Sequence, residues 1–353
     1  MKNFIFVFLI LFLCFKNHYQ YKYYISIIIP VYKAEKYLYD CLNSLINQTL
    51  KNIQIICIND ESPDNSIKIL NQFSKQDKRI TVKSIKHVSI SETRNEGLKF
   101  VDGEYIGFVD DDDFIDLNQY EKMYEYAKKD NIDLLQIGYD FINENDKFPD
   151  IIKKNKLKYK DEKIIYNPDG DVFRILNNEN WNKIYKTEII KKNKIMFEPN
   201  CGGEDLNFNL RVYPFVKKFK KINTKSYFYR KKKNLLYFPI KYFFGSNKLF
   251  FKSLIEYYKQ KNINKNNSIL CFELMIIGYK QLFRNERYLY NKNYLKNFFL
   301  SFKKLNIEED KIIKNISSEL KRFYFDIHKK YKEFYIKEMN EYIILNFFFK
   351  LSI

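Results

Sequence analysis

The stretch Tyr24-Ile25-Ser26-Ile27-Ile28-Ile29-Pro30-Val31 decides the fold, because an apolar run of this length predicts a β-strand buried on both faces. Residues 34–48 follow with apolar side chains at helical spacing. The alternation then continues, with strands predicted at residues 53–58, 80–85 and 105–109 and helices at residues 66–73 and 89–101. This pattern predicts an α/β fold with a mostly parallel central sheet flanked by helices.

Three strand ends supply candidate site residues, namely residues 30–32, 59–62 and 110–113. The carboxyl ends of parallel strands meet at one edge of a sheet, and ligands of such folds bind there. We therefore expect these three segments to line one site.

The last of these segments is the acid run Asp110-Asp111-Asp112-Asp113. Four adjacent carboxylates repel one another, so a protein that gathers them at a strand end is expected to hold a cation there. The expected cation is Mg²⁺ or Mn²⁺, the hard divalent ions that accompany a substrate diphosphate. Taken alone, the run is equally typical of a solvated turn.

The second half of the chain is less regular. We predict a helix at residues 117–128, a strand at 132–139, an irregular charged segment at 140–163 and helices at 181–192 and 204–215. Residues 206–255 contain thirteen Lys or Arg and no acidic residue, interleaved with aromatics. The remainder is predicted to be helical and is rich in Tyr, Phe and Lys.

The chain of 353 residues carries a formal net charge of +19, which calls for a polyanionic neighbour. The candidates are nucleic acid, an anionic membrane surface and phosphorylated substrates. No nucleic-acid motif accompanies the basic residues, so no nucleic-acid partner is expected. The five cysteines are widely spaced and form no C-x-x-C pair, which argues against a disulfide framework and a zinc site.

The N-terminus raises a separate question, because residues 4–15 form an unbroken apolar run between Lys2 and Lys16. Spanning a bilayer needs about 20 apolar residues, and no small-residue cleavage site follows the run. We interpret residues 1–23 as an interfacial anchor or a marginal span in preference to a cleaved signal. A mis-set start codon is the third interpretation.

Several blocks of the sequence, in order and spacing, resemble the family 2 glycosyltransferases of the bacterial polysaccharide and lipopolysaccharide branch. They are residues 26–32 (SIIIPVY), 58–66 (INDESPDNS), 91–98 (SETRNEGL), 103–113 (GEYIGFVDDDD), 181–185 (WNKIY) and 203–208 (GEDLNF). The resemblance covers about residues 24–230 and does not extend to the last third of the chain.

This resemblance implies the GT-A fold, with a Rossmann-like nucleotide-sugar half at residues 24–130 and an acceptor half at 131–235. Residues 236–353 would then be a basic aromatic helical extension. It also implies a nucleotide diphospho-sugar donor, which we expect to be UDP-linked. The family's D-x-D motif falls on Asp110 and Asp112, and Asp112 is expected to contact the metal that bridges the diphosphate. The other residues expected to bind the nucleotide sugar are Pro30, Val31, Tyr32, Glu35, Asp60, Arg94, Asp110 and Asp111.

Within the nucleotide site, the resemblance pairs Asp60 with the ring nitrogen of the base. On the other side of the sugar, it makes Asp205 the catalytic base and gives Trp181 and Glu204 to the acceptor side. The chemistry agrees, since a cation must neutralise the leaving diphosphate and a separate carboxylate must take the proton of the attacking hydroxyl. A direct displacement with one base inverts the anomeric centre. Trp181 suits a core position equally well, and an acidic pair is also ordinary at a helix N-terminus.

Three residues depart from the family pattern. Lys33 stands where Asn is frequent, Glu61 where Gly is frequent and His87 where a small or amide residue is common. Glu61 adds negative charge beside Asp60 and lacks the freedom of Gly to adopt positive φ. Base recognition is therefore where this chain is expected to differ. We interpret His87 as a residue of the site's rim, with a phosphate contact as the alternative.

The combined prediction is an inverting, metal-dependent glycosyltransferase of surface polysaccharide or lipopolysaccharide synthesis, with a glycan or lipid-linked acceptor. Because nucleotide sugars are cytosolic, we place the chain at the cytoplasmic face of the membrane, where Lys and aromatic residues suit an anionic surface. One alternative is a non-catalytic nucleotide-sugar or membrane-associated binding protein of the same fold. The other is a nucleotidyltransferase, which would normally carry an early Gly-rich phosphate loop.

Overall fold

The computed structural model describes residues 21–154, 160–161, 164–168, 176–232, 240–263, 273–276 and 322–329. The apolar run of the N-terminal segment and most of the predicted helical extension lie outside these residues. Within the described ranges, none of the helices combines the length and the apolar character needed to cross a membrane.

Strands and helices alternate through the first half of the chain. The strands are β1 Tyr23–Val31, β2 Ile53–Asp60, β3 Ile80–Ile85, β4 Gly103–Phe108, β5 Phe114–Ile115, β6 Leu134–Asn143, β7 Lys160–Asp161, β8 Ile165–Tyr166, β9 Lys183–Lys186 and β10 Lys218–Lys231. The helices are α1 Leu38–Ile46, α2 Ser66–Gln76, α3 Ile90–Leu98, α4 Gln119–Asp130, α5 Phe148–Lys154, α6 Thr187–Lys192, α7 Glu204–Val212 and α8 Ile240–Gln260, with a 3₁₀ turn at Tyr213–Phe215.

One sheet of ten strands forms the centre of the molecule, in the order β3-β2-β1-β4-β9-β6-β10-β5, with β7 and β8 paired to β10. Strands β3, β2, β1 and β4 are parallel, as are β6 and β10, whereas β9 is antiparallel to both β4 and β6. The predicted mostly parallel sheet is confirmed. Since β2, β1 and β4 lie side by side, their carboxyl ends meet at one edge.

Strand β1 is buried on both faces, as its apolar run predicted. Ile28 faces one core together with Phe108 of β4 and Phe208 of α7. Ile27 and Ile29 face the opposite core, which α1 helps to cover with Leu42. The sheet therefore separates two apolar layers, and its edge residues are held from both sides.

Two local predictions were wrong. The helix predicted at residues 181–192 is strand β9 followed by the short helix α6, because Ile184 and Tyr185 are buried between β4 and β6. The segment 140–163, predicted to be irregular, contains the end of β6 and helix α5. Burial in the sheet decides the first case, and local periodicity does not report it.

Gly103 allows β4 to approach β1 closely. A Cβ at this position would lie 2.4 Å from the backbone nitrogen of Ser26 and 2.7 Å from the carbonyl carbon of Ile25. At Gly107, the nearest atoms belong to the Tyr120 side chain, at 3.0 Å or more. A Cβ at residue 103 would therefore contact backbone atoms. A Cβ at residue 107 would contact the side chain of Tyr120, which is able to shift.

We expect Gly103→Ala to lower the free energy of unfolding by about 2 kcal/mol or more, because β1 must move to relieve the overlap. Gly107→Ala is the matched control and should cost about half as much. The measurement is the urea midpoint at an unchanged denaturant slope. Equal losses in the two variants would contradict the close packing of β4 on β1.

Candidate active site

A cleft of about 370 Å³ opens at the carboxyl ends of β1, β2 and β4. The residues that line it are Pro30, Val31, Tyr32, Asp60, His87, Val88, Ile90, Thr93, Arg94, Asp110, Asp111, Asp112 and Tyr229. The three strand-end segments therefore do meet at one site, as predicted from their positions in the sequence.

The acid run is anchored at its last residue. Asp113 is 1% exposed and accepts hydrogen bonds from the hydroxyl of Tyr227 (2.8 Å) and the backbone N–H of Arg230 (2.7 Å). Tyr227 also accepts a hydrogen bond from the backbone N–H of Asp110 (3.2 Å). One buried tyrosine thus fixes both ends of the run.

Arg230 holds the middle of the run from below. Its Nε donates to the carbonyl of Asp112 (2.8 Å), and its Nη1 donates to the carbonyls of Glu144 (2.9 Å) and Asp146 (2.7 Å). The side chain is almost wholly buried. Because Arg230 binds the backbone of Asp112 and not its carboxylate, the side chain of Asp112 is left to line the cleft.

The carboxylates of the run are crowded. Burial raises the pKa of Asp111 and of Asp113, and the negative charge of Asp112 raises both further. Asp111 accepts a hydrogen bond from the backbone N–H of Tyr32 (2.9 Å), and Asp112 forms an ion pair with Lys232. A cation at Asp112 would relieve this repulsion.

The residues present fit a divalent metal of the kind that is shared with a diphosphate. Asp110 and Asp112 both line the cleft and offer carboxylate oxygens, which Mg²⁺ and Mn²⁺ prefer. Across the residues described, no group of three or more His, Cys, Asp or Glu side chains forms a cage for an ion by itself. That is the expected arrangement for an ion held by one or two carboxylates together with substrate phosphates and water.

Arg94 joins the acid run to helix α7. Its Nη2 donates to Asp110 (3.1 Å), and its Nη1 donates to Asp205 (2.8 Å) and Glu204 (3.1 Å). The residue is 3% exposed, and burial opposes its charge. Asp205, Asp110 and Glu204 more than offset that effect, so the pKa of Arg94 is raised. A charged guanidinium therefore connects three predicted site carboxylates.

Asp205 is a partly buried carboxylate whose pKa is raised. Burial raises its pKa to about 7, Arg94 opposes the rise, and the negative charges of Glu204 and Asp110 add to it. The second carboxylate oxygen accepts a hydrogen bond from the backbone N–H of Asn180 (3.3 Å). A base works best when its pKa is close to the working pH.

The segment that carries Asn180 is held by a buried lysine. Lys183 donates to the carbonyls of Asn177 (2.9 Å) and Glu179 and to the side chain of Asn182 (3.0 Å). Burial lowers the pKa of Lys183 to about 7. Lys183 thus positions the backbone N–H that contacts Asp205.

The other end of the cleft is built around Asp60, which is 4% exposed. Its Oδ1 accepts from the backbone N–H of Val88 (2.8 Å), and its Oδ2 lies 2.9 Å from Nδ1 of His87. The His87 ring stacks on Tyr32 with a centroid distance of 4.4 Å. His87, interpreted from sequence as a rim residue, therefore contacts two of the predicted nucleotide-binding residues.

Four predicted residues do not line the cleft, namely Glu35, Trp181, Glu204 and Asp205, and the last two reach it only through their hydrogen bonds with Arg94. Glu35 accepts hydrogen bonds from the backbone N–H (3.0 Å) and side chain (2.7 Å) of Asn65, and does not line the cleft. Trp181 is 4% exposed and stacks on Tyr227 at 4.2 Å. Its ring also stacks on Tyr229 at 5.5 Å, and Tyr229 is the member of this stack that reaches the cleft.

Known proteins are similar to this chain over the part that forms most of the cleft. Residues 26–192 match the model of glycosyl transferase family 2. The likeness to this family covers a little under half of the chain. The matched part contains β1 to β4, the acid run and β9.

Two individual relatives are similar to a longer part of the chain. The uncharacterized glycosyltransferase EpsJ of Bacillus subtilis is 30% identical over 60% of this chain and 62% of its own length, so the chain spans less than two thirds of that relative. A cholesterol galactosyltransferase of Borreliella burgdorferi is 27% identical over 91% of this chain and 83% of its own.

A solved structure shares the fold. The crystal structure of S. aureus TarS 1-349 in complex with UDP-GlcNAc superposes with a TM-score of 0.64 and 18% identity, covering 88% of this chain and 89% of that one. The GT-A fold implied by the sequence blocks is confirmed.

Sequence reasoning missed three residues that hold the glycosyltransferase site together, Lys183, Tyr227 and Arg230. Lys183 falls in the block WNKIY, which marked its neighbourhood but not its role. Tyr227 and Arg230 lie on β10, and nothing in the basic stretch distinguishes them from the surrounding Lys and Tyr residues. Only the parallel pairing of β10 with β6 brings them under the acid run.

Removing the charge of Arg94 should destabilise this site. In Arg94→Gln, three partly buried carboxylates lose their shared cation, and we expect the free energy of unfolding to fall by about 2 to 4 kcal/mol. Lys99→Gln is the control, since its pair with Glu96 is largely exposed and should contribute within about 0.5 kcal/mol. Urea denaturation at pH 7.5 measures both, and similar losses in the two variants would argue against the proposed bridge.

Proposed function

We propose that the protein is an inverting, metal-dependent glycosyltransferase that moves a sugar from a UDP-linked donor to a hydroxyl of a glycan or lipid-linked acceptor. The observation that carries the proposal is the bridge made by Arg94, which lies 3.1 Å from Asp110 and 2.8 Å from Asp205. The bridge joins a diphosphate-metal end and a separate carboxylate base in one site, which is the minimum set for a direct displacement.

The donor end of the cleft has a residue for each part of a nucleotide diphospho-sugar. Asp60 and Tyr32 are assigned to the base, and Asp110 and Asp111 to the ribose and its adjacent phosphate. Asp112 would hold the divalent ion, with Arg230 fixing its backbone. When bound, that ion supplies a positive charge for the diphosphate as it leaves.

Asp205 is assigned to the acceptor hydroxyl. Arg94 and the N–H of Asn180 fix the orientation of its carboxylate, and a pKa of about 7 lets it accept a proton near neutral pH. With one base and no second nucleophile, the sugar is transferred with inversion. Glu204 shares Arg94 with Asp205 and is assigned to tuning that base.

The acceptor is placed beside the aromatic residues that continue from the cleft. Tyr229 lines the cleft and packs edge-on against Phe141, which is 50% exposed. Aromatic faces of this kind suit the apolar side of a sugar ring or lipid. Trp181 would support the stack from beneath rather than contact the acceptor itself.

The names of the similar proteins support a UDP-linked donor and a lipid acceptor. TarS was crystallised with UDP-GlcNAc, and the Borreliella burgdorferi relative is named for transfer of galactose to cholesterol. We therefore place the reaction at the cytoplasmic face of a membrane, where nucleotide sugars are available and Lys and aromatic residues meet anionic lipid.

Asp112→Ala should remove the metal dependence of donor binding. In the wild type we expect Mn²⁺ to tighten UDP binding by about tenfold or more, which is about 1.4 kcal/mol. In Asp112→Ala the affinities with and without Mn²⁺ should converge. Asp140→Asn, an exposed carboxylate paired with Lys225, is the control and should keep the metal effect. Isothermal titration calorimetry measures all three, and an intact metal effect in Asp112→Ala would remove Asp112 as the ligand.

Asp205→Asn should lower the rate of UDP release from a UDP-sugar by about 10² to 10⁴, because the base is lost. In the wild type, the same rate should rise with pH through about 7 and then level off, since Asp205 acts only when deprotonated. The control is Glu256→Gln on α8, which should retain the wild-type profile. An unchanged rate in Asp205→Asn would show that another group is the base.

A further inference from the structure

His87 makes two contacts that are unusual for an exposed side chain. Its ring lies parallel to Tyr32, with an interplanar angle of 18° and centroids 4.4 Å apart. Its Nδ1 lies 2.9 Å from Oδ2 of Asp60. Because an ionised carboxylate only accepts hydrogen bonds, Nδ1 is the protonated nitrogen.

A uracil ring would make the same two contacts. It is planar, it stacks on an aromatic face, and its ring N3–H donates to a carboxylate. We propose that His87 is an internal surrogate for the nucleobase, which occupies the base slot until a uridine nucleotide displaces it. This inference rests on the proposed donor site and adds to it the residue that competes with the donor.

The slot is framed by strained backbone. Glu61 has φ 50° and Lys33 has φ 54°, both in the left-handed region that residues other than Gly rarely adopt. They directly follow Asp60 and Tyr32, the two partners of the His87 ring. The backbone at both strand ends is therefore bent around the slot.

Glu61 also holds the His87 segment directly. Its Oε2 accepts a hydrogen bond from the backbone N–H of His87 (3.1 Å), and the next N–H, of Val88, donates to Asp60 (2.8 Å). The backbone of residues 87–88 is thus fixed at two points. A rotation of the His87 side chain is then sufficient to open the slot.

The burial of the two partners supports such a rotation. The His87 side chain is 53% exposed, whereas that of Asp60 is 6% exposed. The imidazole lies on the solvent side of a buried carboxylate, so it is able to leave without disturbing the core. The carboxylate that remains would be costly to leave unpaired, which favours a replacement donor.

The geometry also selects among bases. Oδ1 of Asp60 is taken by Val88, which leaves Oδ2 as the oxygen that His87 vacates. A base must therefore offer a ring N–H at this point. Uracil does so, whereas cytosine presents a lone pair at N3 and would face the carboxylate unfavourably.

Calorimetry with UDP and CDP in the presence of Mn²⁺ tests the competition. In His87→Ala we expect UDP to bind about 3- to 10-fold more tightly than in the wild type, because the slot is no longer closed by its own side chain. CDP should stay weaker than UDP in both proteins. His87→Asn removes the stacked ring but keeps a polar side chain, and it should also bind UDP more tightly. Equal or weaker UDP binding in both variants would overturn the proposal.

A spectroscopic measurement follows the ring itself. The chain has three histidines, so a sample labelled with ¹⁵N at histidine gives few ring signals, and His87→Ala assigns the relevant one. We expect the free protein to show a protonated, hydrogen-bonded Nδ1, and saturating UDP to abolish that state. A His87 signal that UDP leaves unchanged would overturn the surrogate role alone. If the wild type binds no UDP at all, the proposed donor site fails as well.

Discussion

The repulsion among carboxylates at the end of β4 is the constraint on which the site depends. Arg94 neutralises Asp110 on one side of the acid run and reaches Asp205 on α7 with the same guanidinium. Arg230 and Tyr227 fix the other side from β10. Since α3, α7 and β10 each bring a residue to this cluster, the electrostatics of the acid run also hold these three elements together.

The part of the sheet formed by β1 to β4 was predictable because its sequence signals are local. Each of its first strands is a short apolar run, and a strand that is buried on both faces needs no partner to be recognised in sequence. Once β1, β2 and β4 are placed in parallel, their arrangement alone brings Asp60 and Asp110 to the same edge of the sheet. The order and direction of the strands are therefore sufficient to predict that these residues share a cleft.

The rest of the sheet was less predictable because its order depends on distant residues. Strand β9 lies between β4 and β6, which are far from it in sequence, and the surroundings of Ile184 and Tyr185 decide that it is not helical. Arg230 lies among lysines of similar composition, and only its position on β10 separates a buried clamp from a surface charge. The local sequence pattern predicts neither the strand β9 nor the burial of Arg230.

Two residues that depart from the family pattern, Glu61 and His87, were only partly predictable from the sequence. Glu61 and His87 are 26 residues apart, and each alone reads as a surface change, yet a hydrogen bond joins them beside Asp60. Positive φ at Glu61 is a cost that Gly would not carry, and the carboxylate it gains holds the His87 backbone. The hydrogen bond therefore accounts for Glu61 and His87 together, although each residue by itself is unfavourable at its position. The sequence shows both of these departures from the family pattern, but the hydrogen bond that joins the two residues is visible only in the fold.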